Sequence, residues 1–204
     1  MTLPRAALLV AAVLAPAAAV AEDVTLQSPK GVLKLTLSAA EGRLRYRATL
    51  NEKPLLEPSD LGIVVDGADL GQGVTLGKVE RYEHDETFAW YGAHSPAIGR
   101  ARGARVAVSH KASRTEFTVD LRAFDDAVAF RIVVPGSGRR VPDAASAFRL
   151  PAGSVVWYHG PRDHYEGLHT RRELKDVPAD DWAGPPLTFR LPDGRGFGSI
   201  TEAG

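Results

Sequence analysis

The densest group of polar and aromatic side chains in the sequence lies between Trp157 and His169. It contains three histidines, His159, His164 and His169, together with Asp163, and neutral imidazole is a common zinc ligand. The intervals of five residues match no zinc-ligand template, and they suit the geometry of neither a strand nor a helix. We therefore interpret these histidines as hydrogen-bonding residues of a loop, with zinc binding as the alternative.

A short acidic and aromatic segment, Asp180-Asp181-Trp182, precedes the turn at Gly184-Pro185-Pro186. Carboxylates accept hydrogen bonds from sugar hydroxyls, and the apolar face of a sugar can stack on an indole ring. The segment therefore predicts that Asp180, Asp181 and Trp182 bind a carbohydrate substrate. The alternative is a surface turn with one anchoring tryptophan. Trp90-Tyr91-Gly92 is similar but weaker, and we interpret its rings as core aromatics.

The sequence contains no convincing catalytic set. Hydrolysis of a glycosidic bond needs two carboxylates roughly 5 to 9.5 Å apart, and no pair suggests itself. A phosphate-binding glycine loop, a Ser-His-Asp order and a nucleophile elbow are also absent from the sequence. A mutarotase or epimerase would need a histidine acid and a carboxylate base. His164 and Glu166, two residues apart, would share a strand face and keep that alternative open.

The elements that position these residues are strands. Apolar and polar residues alternate in several segments; for example, Leu33, Leu35 and Leu37 lie on one face of their strand while Lys34 and Thr36 lie on the other. This period of two is typical of half-buried strands. Turn residues separate the runs, and no sustained helical period follows residue 21, so we predict an all-β fold of two packed, mainly antiparallel sheets. The alternating segments are 32–37, 43–50, 116–123 and 128–134.

Composition and the first residues limit the class of protein. Residues 1–21 join an early arginine to an apolar run and a small-residue cleavage site, which predicts a signal peptide and export to the periplasm or the extracellular medium. The run is shorter than the roughly 20 residues of a membrane-spanning helix. Because 25 basic residues balance 25 acidic ones, no basic field favours nucleic acid. The chain has no cysteines, so its stability rests on an apolar core.

Several short motifs follow one another in an order that is typical of one family. They are SPKGVLKL at 28–35, KPLLEPSDLG at 53–62, FDDAVAFR at 124–131, WY at 157–158, HYE at 164–166, GPPL at 184–187 and TEA at 201–203. In this order and spacing, residues 22–204 resemble the N-terminal domain of glycoside hydrolase family 97. We expect this domain to be partial at its C-terminal end, because Gly204 directly follows a strand-like segment.

The resemblance implies a β-super-sandwich similar to galactose mutarotase, which precedes a (β/α)₈ barrel. In that family the barrel carries the catalytic carboxylates of α-glucosidases and α-galactosidases that bind calcium. The sandwich lends loops to the carbohydrate pocket and one calcium ligand, which the resemblance places at Glu166. We therefore expect a secreted domain that recognises an α-linked oligosaccharide together with a barrel and is inactive alone. A stand-alone carbohydrate-binding module is the alternative, beside the mutarotase-like enzyme.

The sequence departs from the family at two places. Ala127 stands where the family usually has glycine, and a hairpin tolerates this change only where the backbone angle is ordinary. Residues 98–103 lack the Asn-bearing pattern usual in the family, and we interpret them as a loop before the next strand.

Overall fold

The computed structural model describes residues 22–92, 95–160 and 167–202. Within these ranges the chain forms strands and three single-turn 3₁₀ helices but no α-helix, which confirms the all-β prediction. No helix in the described ranges is long and apolar enough to cross a bilayer. The strands are β1 Val24–Gln27, β2 Leu33–Ser38, β3 Arg45–Leu50, β4 Lys53–Asp60, β5 Ile63–Val65, β6 Ala68–Asp69, β7 Val74–Phe88, β8 Ala97–His110, β9 Thr115–Phe124, β10 Val128–Val133, β11 Asp143–Ala144, β12 Val155–Tyr158, β13 Thr170–Glu173, β14 Leu187–Arg190 and β15 Phe197–Ile200, and the 3₁₀ helices are Ala40–Gly42, Leu174–Asp176 and Pro192–Gly194.

In the described part of the chain the strands form four antiparallel sheets, whereas two were expected. Two larger sheets are simple meanders, with the orders β1-β2-β3-β4 and β10-β9-β8-β7. A three-stranded sheet has the order β11-β5-β6, and the last sheet has the order β13-β12-β14-β15. The two meanders supply the predicted sandwich, and the two other sheets are added to it.

Short turns join several pairs of neighbouring strands. Asn51 and Glu52 connect β3 to β4, and both have positive φ, as a type I′ turn requires. Asp66 and Gly67 form the corresponding turn between β5 and β6. Ala127 lies in the turn between β9 and β10, where its carbonyl accepts a hydrogen bond from the Phe124 amide at 2.8 Å. Its φ is not positive, so the side chain is accommodated without backbone strain.

The inner faces of the two meanders enclose the main core. Alternating side chains of β2 and β3, among them Leu35, Leu37 and Tyr46, pack with residues such as Val119 and Leu121 of β9. Each of these residues is at most 2 % exposed. Burying such side chains contributes about 1.5–3 kcal/mol each, so the alternating faces seen in the sequence are the main source of stability.

A long hairpin of β7 and β8 is the main feature that the sequence prediction missed. Pairing between the two strands runs from Val74 and His110 to Phe88 and Ala97, whereas β9 accompanies β8 only as far as Ala101. Residues 98–103 therefore belong to a strand, and their interpretation as a loop is wrong. The tip is also exposed: Trp90 is 62 % and Tyr91 fully accessible, which contradicts their interpretation as core aromatics. A two-stranded ribbon with both faces in water needs no alternating pattern.

The outer face of the second meander carries charges of alternating sign. Glu80, Arg105, Asp120 and Arg131 lie directly opposite one another on four consecutive strands. Asp120 is a polar residue of the alternating segment 116–123, and the alternation places it on the solvent face, yet it is only 5 % exposed. Its carboxylate accepts a hydrogen bond from the Tyr82 hydroxyl at 2.5 Å and lies 3.6 to 3.9 Å from the two arginines, which cover it.

Candidate functional site

The candidate site begins where β12 leaves the last sheet. The pairing of β12 with β13 ends at Tyr158 and Thr170, and the described residues next to these ends, 159–160 and 167–169, lie in loops outside the strands. Glu166, the predicted calcium ligand, lies outside the described residues, and so do Asp163 and His164. The proposed pairing of His164 with Glu166 on one strand face therefore stays a prediction.

A second loop, residues 178–184, packs against the end of β12. The Gly184 amide donates to the carbonyl of His159 at 2.9 Å, and the Asp181 amide donates to the carbonyl of Pro178 at 3.2 Å. The chain then enters β14 through a cis peptide bond between Pro185 and Pro186. These contacts bring two segments together that are more than twenty residues apart in the sequence.

A side-chain hydrogen bond fastens this second loop. The Tyr158 hydroxyl donates to Oδ2 of Asp181 at 2.5 Å. Tyr158 is buried, whereas Asp181 is exposed, so the tyrosine anchors a carboxylate that faces solvent. The hydrogen bond to Asp181, assisted by burial, raises the pKa of Tyr158 above its usual value. The phenol therefore stays protonated and keeps donating across the neutral pH range.

The ring of His159 packs against Gly167 and Gly184. It is buried, and its centroid is 4.9 Å from that of His169. Gly167 packs closely against this ring, since a Cβ there would lie 3.2 Å from Cδ2 of His159, whereas a Cβ on Gly184 would make an ordinary contact at 3.6 Å from Cε1. His159 and His169 therefore do meet, but the described residues contain no group of three potential metal ligands. The zinc alternative also involves Asp163 and His164, which lie outside the described residues, so it stays a prediction.

The three predicted sugar-binding residues occupy different environments. Asp181 is held by Tyr158, while Asp180 is exposed and has no side-chain partner among the described residues. The Trp182 side chain is 76 % exposed, although its carbonyl lies close to Gly160, where a Cβ would be 3.5 Å away. The loop thus presents two carboxylates and one indole ring to solvent beside the end of β12.

Sequence reasoning missed the anchoring role of Tyr158 and the position of Arg172. Arg172 lies on the same face of the sheet as Tyr158, and its positive charge partly offsets the rise in the tyrosine pKa. Its Nε atom is buried and has no hydrogen-bond partner among the described residues. The alternation of β12 was a usable signal for Tyr158, since that strand places Trp157 on one face and Tyr158 on the other.

The opposite face of this sheet is aromatic. Trp157 and Phe197 have ring centroids 6.0 Å apart, and the guanidinium of Arg171 lies 5.9 Å from the Trp157 ring. Phe197 is 71 % exposed. This surface lies on the side of the sheet away from the Tyr158–Asp181 hydrogen bond, so the two features do not form one pocket.

A model of the family described as Glycosyl-hydrolase 97 N-terminal matches residues 26–204. The chain belongs to this family. A curated relative, a probable retaining alpha-galactosidase from Streptomyces bingchenggensis (strain BCW-1), is 30% identical over 160 residues. That match includes 76% of this chain but only 24% of the relative. The chain therefore spans about a quarter of the length of the relative, and the family prediction made from the motifs is confirmed.

Solved structures confirm the fold. A glycoside hydrolase family 97 enzyme from Pseudoalteromonas sp. strain K8, solved in complex with panose, superposes with a TM-score of 0.74 at 21% identity, covering 84% of this chain and 27% of that one. A beta-arabinopyranosidase superposes with a TM-score of 0.68 at 21% identity, covering 83% of this chain and 30% of that one. At this identity the likeness establishes the β-sandwich architecture.

Proposed function

We propose that the chain is the N-terminal sandwich domain of an exported α-glycosidase and that it supplies one wall of the carbohydrate pocket. Membership of the family supports this proposal. The relative named a probable retaining alpha-galactosidase also supports it, because the match covers only 24% of that longer protein. The catalytic carboxylates would lie in a following (β/α)₈ barrel, in keeping with the lack of a convincing carboxylate pair in this sequence. The substrate would be an α-linked oligosaccharide.

The observation that carries the proposal is the anchored carboxylate of Asp181. Oδ2 accepts from Tyr158, so Oδ1 remains to accept from a sugar hydroxyl. Trp182 follows directly and is exposed enough for a sugar to stack on its ring. A buried tyrosine that holds one oxygen of a solvent-facing carboxylate pre-orients the other oxygen, which reduces the ordering cost of binding.

The calcium role of Glu166 is also part of the proposal. Calcium takes six to eight oxygen ligands, and a glutamate carboxylate suits it better than the imidazoles of His159 and His169. The described residues assemble no set of three ligands, so further ligands would come from the barrel. When bound, such an ion would supply positive charge that polarises a sugar oxygen.

Four experiments test this assignment. The DNA beyond codon 204 should continue in frame into a sequence of alternating strands and helices, and a stop codon there would contradict the proposal. The chain alone should not release nitrophenol from nitrophenyl α-glucoside or α-galactoside. Sugar anomer interconversion that is lost in Glu166→Ala would instead support a mutarotase. Export is tested by N-terminal sequencing of the mature protein, which should begin at Glu22.

A stand-alone carbohydrate-binding module is the second candidate. The exposure of Trp182 favours it, because an accessible indole beside carboxylates can hold a sugar without another domain. Tight saccharide binding by the chain alone would favour the module. Binding that requires the barrel would favour the glycosidase domain.

A further inference from the structure

A groove of about 580 Å³ opens between the edge of the first sheet and the β7–β8 hairpin. Residues 25–27 of β1 form its wall, and Arg81, Glu83 and Arg102 contribute to its floor. The volume is in the range of small-molecule sites. None of the residues that line the groove belongs to the candidate site of Tyr158, Asp180, Asp181 and Trp182, so an occupant would be distinct from the sugar of the proposed function.

Glu83 and Arg102 form an open pair of opposite charges in this groove. They lie directly opposite each other in the register of β7 and β8, yet they form no ion pair or hydrogen bond with each other or with another described residue. Two residues further along each strand, on the same face, Asp85 and Arg100 form an ion pair, with Nε of Arg100 3.2 Å from Oδ2 of Asp85. The geometry of the hairpin therefore allows an ion pair between directly opposite residues. Glu83 and Arg102, which line the groove, do not form one.

The remaining polar groups hold the groove in shape. Arg81 donates from a terminal guanidinium nitrogen to the carbonyl of Thr25 at 3.0 Å, which ties β7 to the edge of β1. The Thr25 hydroxyl is paired with that of Thr36 at 3.1 Å. The Gln27 amide donates to the carbonyl of Gly31 at 3.1 Å, which leaves its side-chain oxygen as an acceptor. The wall is therefore held in place. The groups left for an occupant are the Glu83 carboxylate, the Arg102 guanidinium, the remaining N–H groups of Arg81 and the Gln27 side-chain oxygen.

We propose that this groove is a second binding site, for a neutral saccharide. The Glu83 carboxylate accepts a hydrogen bond from one hydroxyl, and the Arg102 guanidinium donates to the oxygen of a neighbouring one. Each sugar hydroxyl can both donate and accept a hydrogen bond. Two adjacent hydroxyls therefore match the Glu83 carboxylate, an acceptor, and the Arg102 guanidinium, a donor, beside it. An anionic ligand would face Glu83, and a cationic one would face Arg81 and Arg102.

The test is a titration of the isotope-labelled protein with maltotriose and with raffinose, followed by amide chemical shifts in two-dimensional NMR. We expect the amides of Gln27, Glu83 and Arg102 to shift with at least one saccharide. Glu83→Gln and Arg102→Met keep side-chain size and remove the charges, and each should weaken binding about tenfold, as expected for a hydrogen bond to a charged group. Asp85→Asn is the matched control and should bind as the unaltered protein does.

Three results would overturn the inference. The groove amides could fail to shift with either saccharide, or Asp85→Asn could weaken binding as much as Glu83→Gln. Inorganic sulfate could shift the same amides more strongly than the sugars, which would indicate an anion site. Asp181→Asn separates this site from the other one, because it should leave the groove shifts unchanged whether or not the proposed function holds. A dispersed amide spectrum of each variant shows that it is folded.

Discussion

Tyr158 and Asp181 join two segments of the chain through one hydrogen bond, with 2.5 Å between the phenolic oxygen and Oδ2. Tyr158 ends a buried strand, whereas Asp181 belongs to an exposed loop. The contact therefore holds the 178–184 loop, whose residues we propose bind sugar, against the last sheet.

Tyr158→Phe should loosen that loop while keeping the packing of the ring. We expect the amide of Gly184, which donates to His159, to exchange its hydrogen faster, and the free energy of unfolding to fall by about 1 kcal/mol because one hydrogen bond is lost. Hydrogen-exchange NMR and urea unfolding provide the two measurements. Unchanged exchange at Gly184 would mean that the loop is held by other contacts.

Three tyrosines should titrate above the usual value near 10. Burial raises the pKa of Tyr46 and Tyr82, and the hydrogen bond to Asp181 raises that of Tyr158. Because the folded pKa exceeds the unfolded one, this contribution to stability is complete below about pH 10 and is lost as the pH rises through the folded values. Ultraviolet titration of tyrosinate, compared with the Tyr46→Phe, Tyr82→Phe and Tyr158→Phe variants, assigns each group. If a variant instead lost a titration step near pH 10, the tyrosine replaced in it would have an ordinary pKa, which would contradict the prediction.

Trp182→Ala should weaken saccharide binding at the candidate site of Tyr158, Asp180, Asp181 and Trp182. Stability should be unaffected, because the indole is 76 % exposed. We expect a loss of about tenfold or more in affinity, a typical effect of removing one stacking or hot-spot aromatic. Calorimetric titration of the protein that carries the complete pocket measures it. Trp90→Ala is the control, since Trp90 is similarly exposed at the hairpin tip. Equal losses in both variants would point to a nonspecific effect.

Gly103→Ala should destabilise the second meander. A Cβ at this position would lie 2.2 Å from Cζ of Tyr82, so the ring has to move and its hydrogen bond to the buried Asp120 is broken. We expect a loss of about 1–3 kcal/mol in the free energy of unfolding.

Gly99→Ala provides the control on the same strand, because its nearest neighbour would be 3.7 Å away. It should be neutral or slightly stabilising, since alanine restricts the unfolded chain. Similar losses for both glycine substitutions would show that the contact with Tyr82 is unimportant.

Asp60→Asn should destabilise the protein only above acid pH. A hydrogen bond from Arg45, assisted by the charge of Arg43, lowers the pKa of Asp60. The contribution to stability is therefore present above the unfolded pKa near 4 and is lost as the pH falls through the folded value. At neutral pH we expect a loss of less than about 1 kcal/mol, because solvent screens the pairs.

Urea unfolding at neutral pH and at acid pH checks this dependence. Asp66→Asn is the comparison, since the ion pair of Asp66 with Arg140 is long, at 3.5 Å, and the Asp66 side chain is 70% exposed. A difference between Asp60→Asn and the unaltered protein that persists in acid would contradict the electrostatic explanation.

The sequence was sufficient for those strands that have one face in the core and one in water. Leu35, Tyr46 and Val119 alternate with polar neighbours because burial acts on every second side chain. The pattern fails in the outer part of β7, where both faces of a ribbon are exposed. It also fails for Asp120, which is covered by Tyr82 from a strand 38 residues away.

The candidate site was predictable in composition but not in geometry. The residue types of Asp181 and Trp182 indicate sugar chemistry, whereas the partner of Asp181 lies 23 residues earlier and is fixed by how β12 and the following loop pack. The open pair of Glu83 and Arg102 is likewise invisible without the strand register, because nineteen residues separate them in the chain.

The row formed by Glu80, Arg105, Asp120 and Arg131 restricts how the sandwich can sit in a larger assembly. A neighbour laid across this row would remove water from the exposed charges of Glu80, Arg105 and Arg131, and such dehydration costs several kcal/mol per ion. This broad side of the molecule is therefore suited to remain hydrated. We therefore expect the barrel that we propose to contact the sandwich on another side.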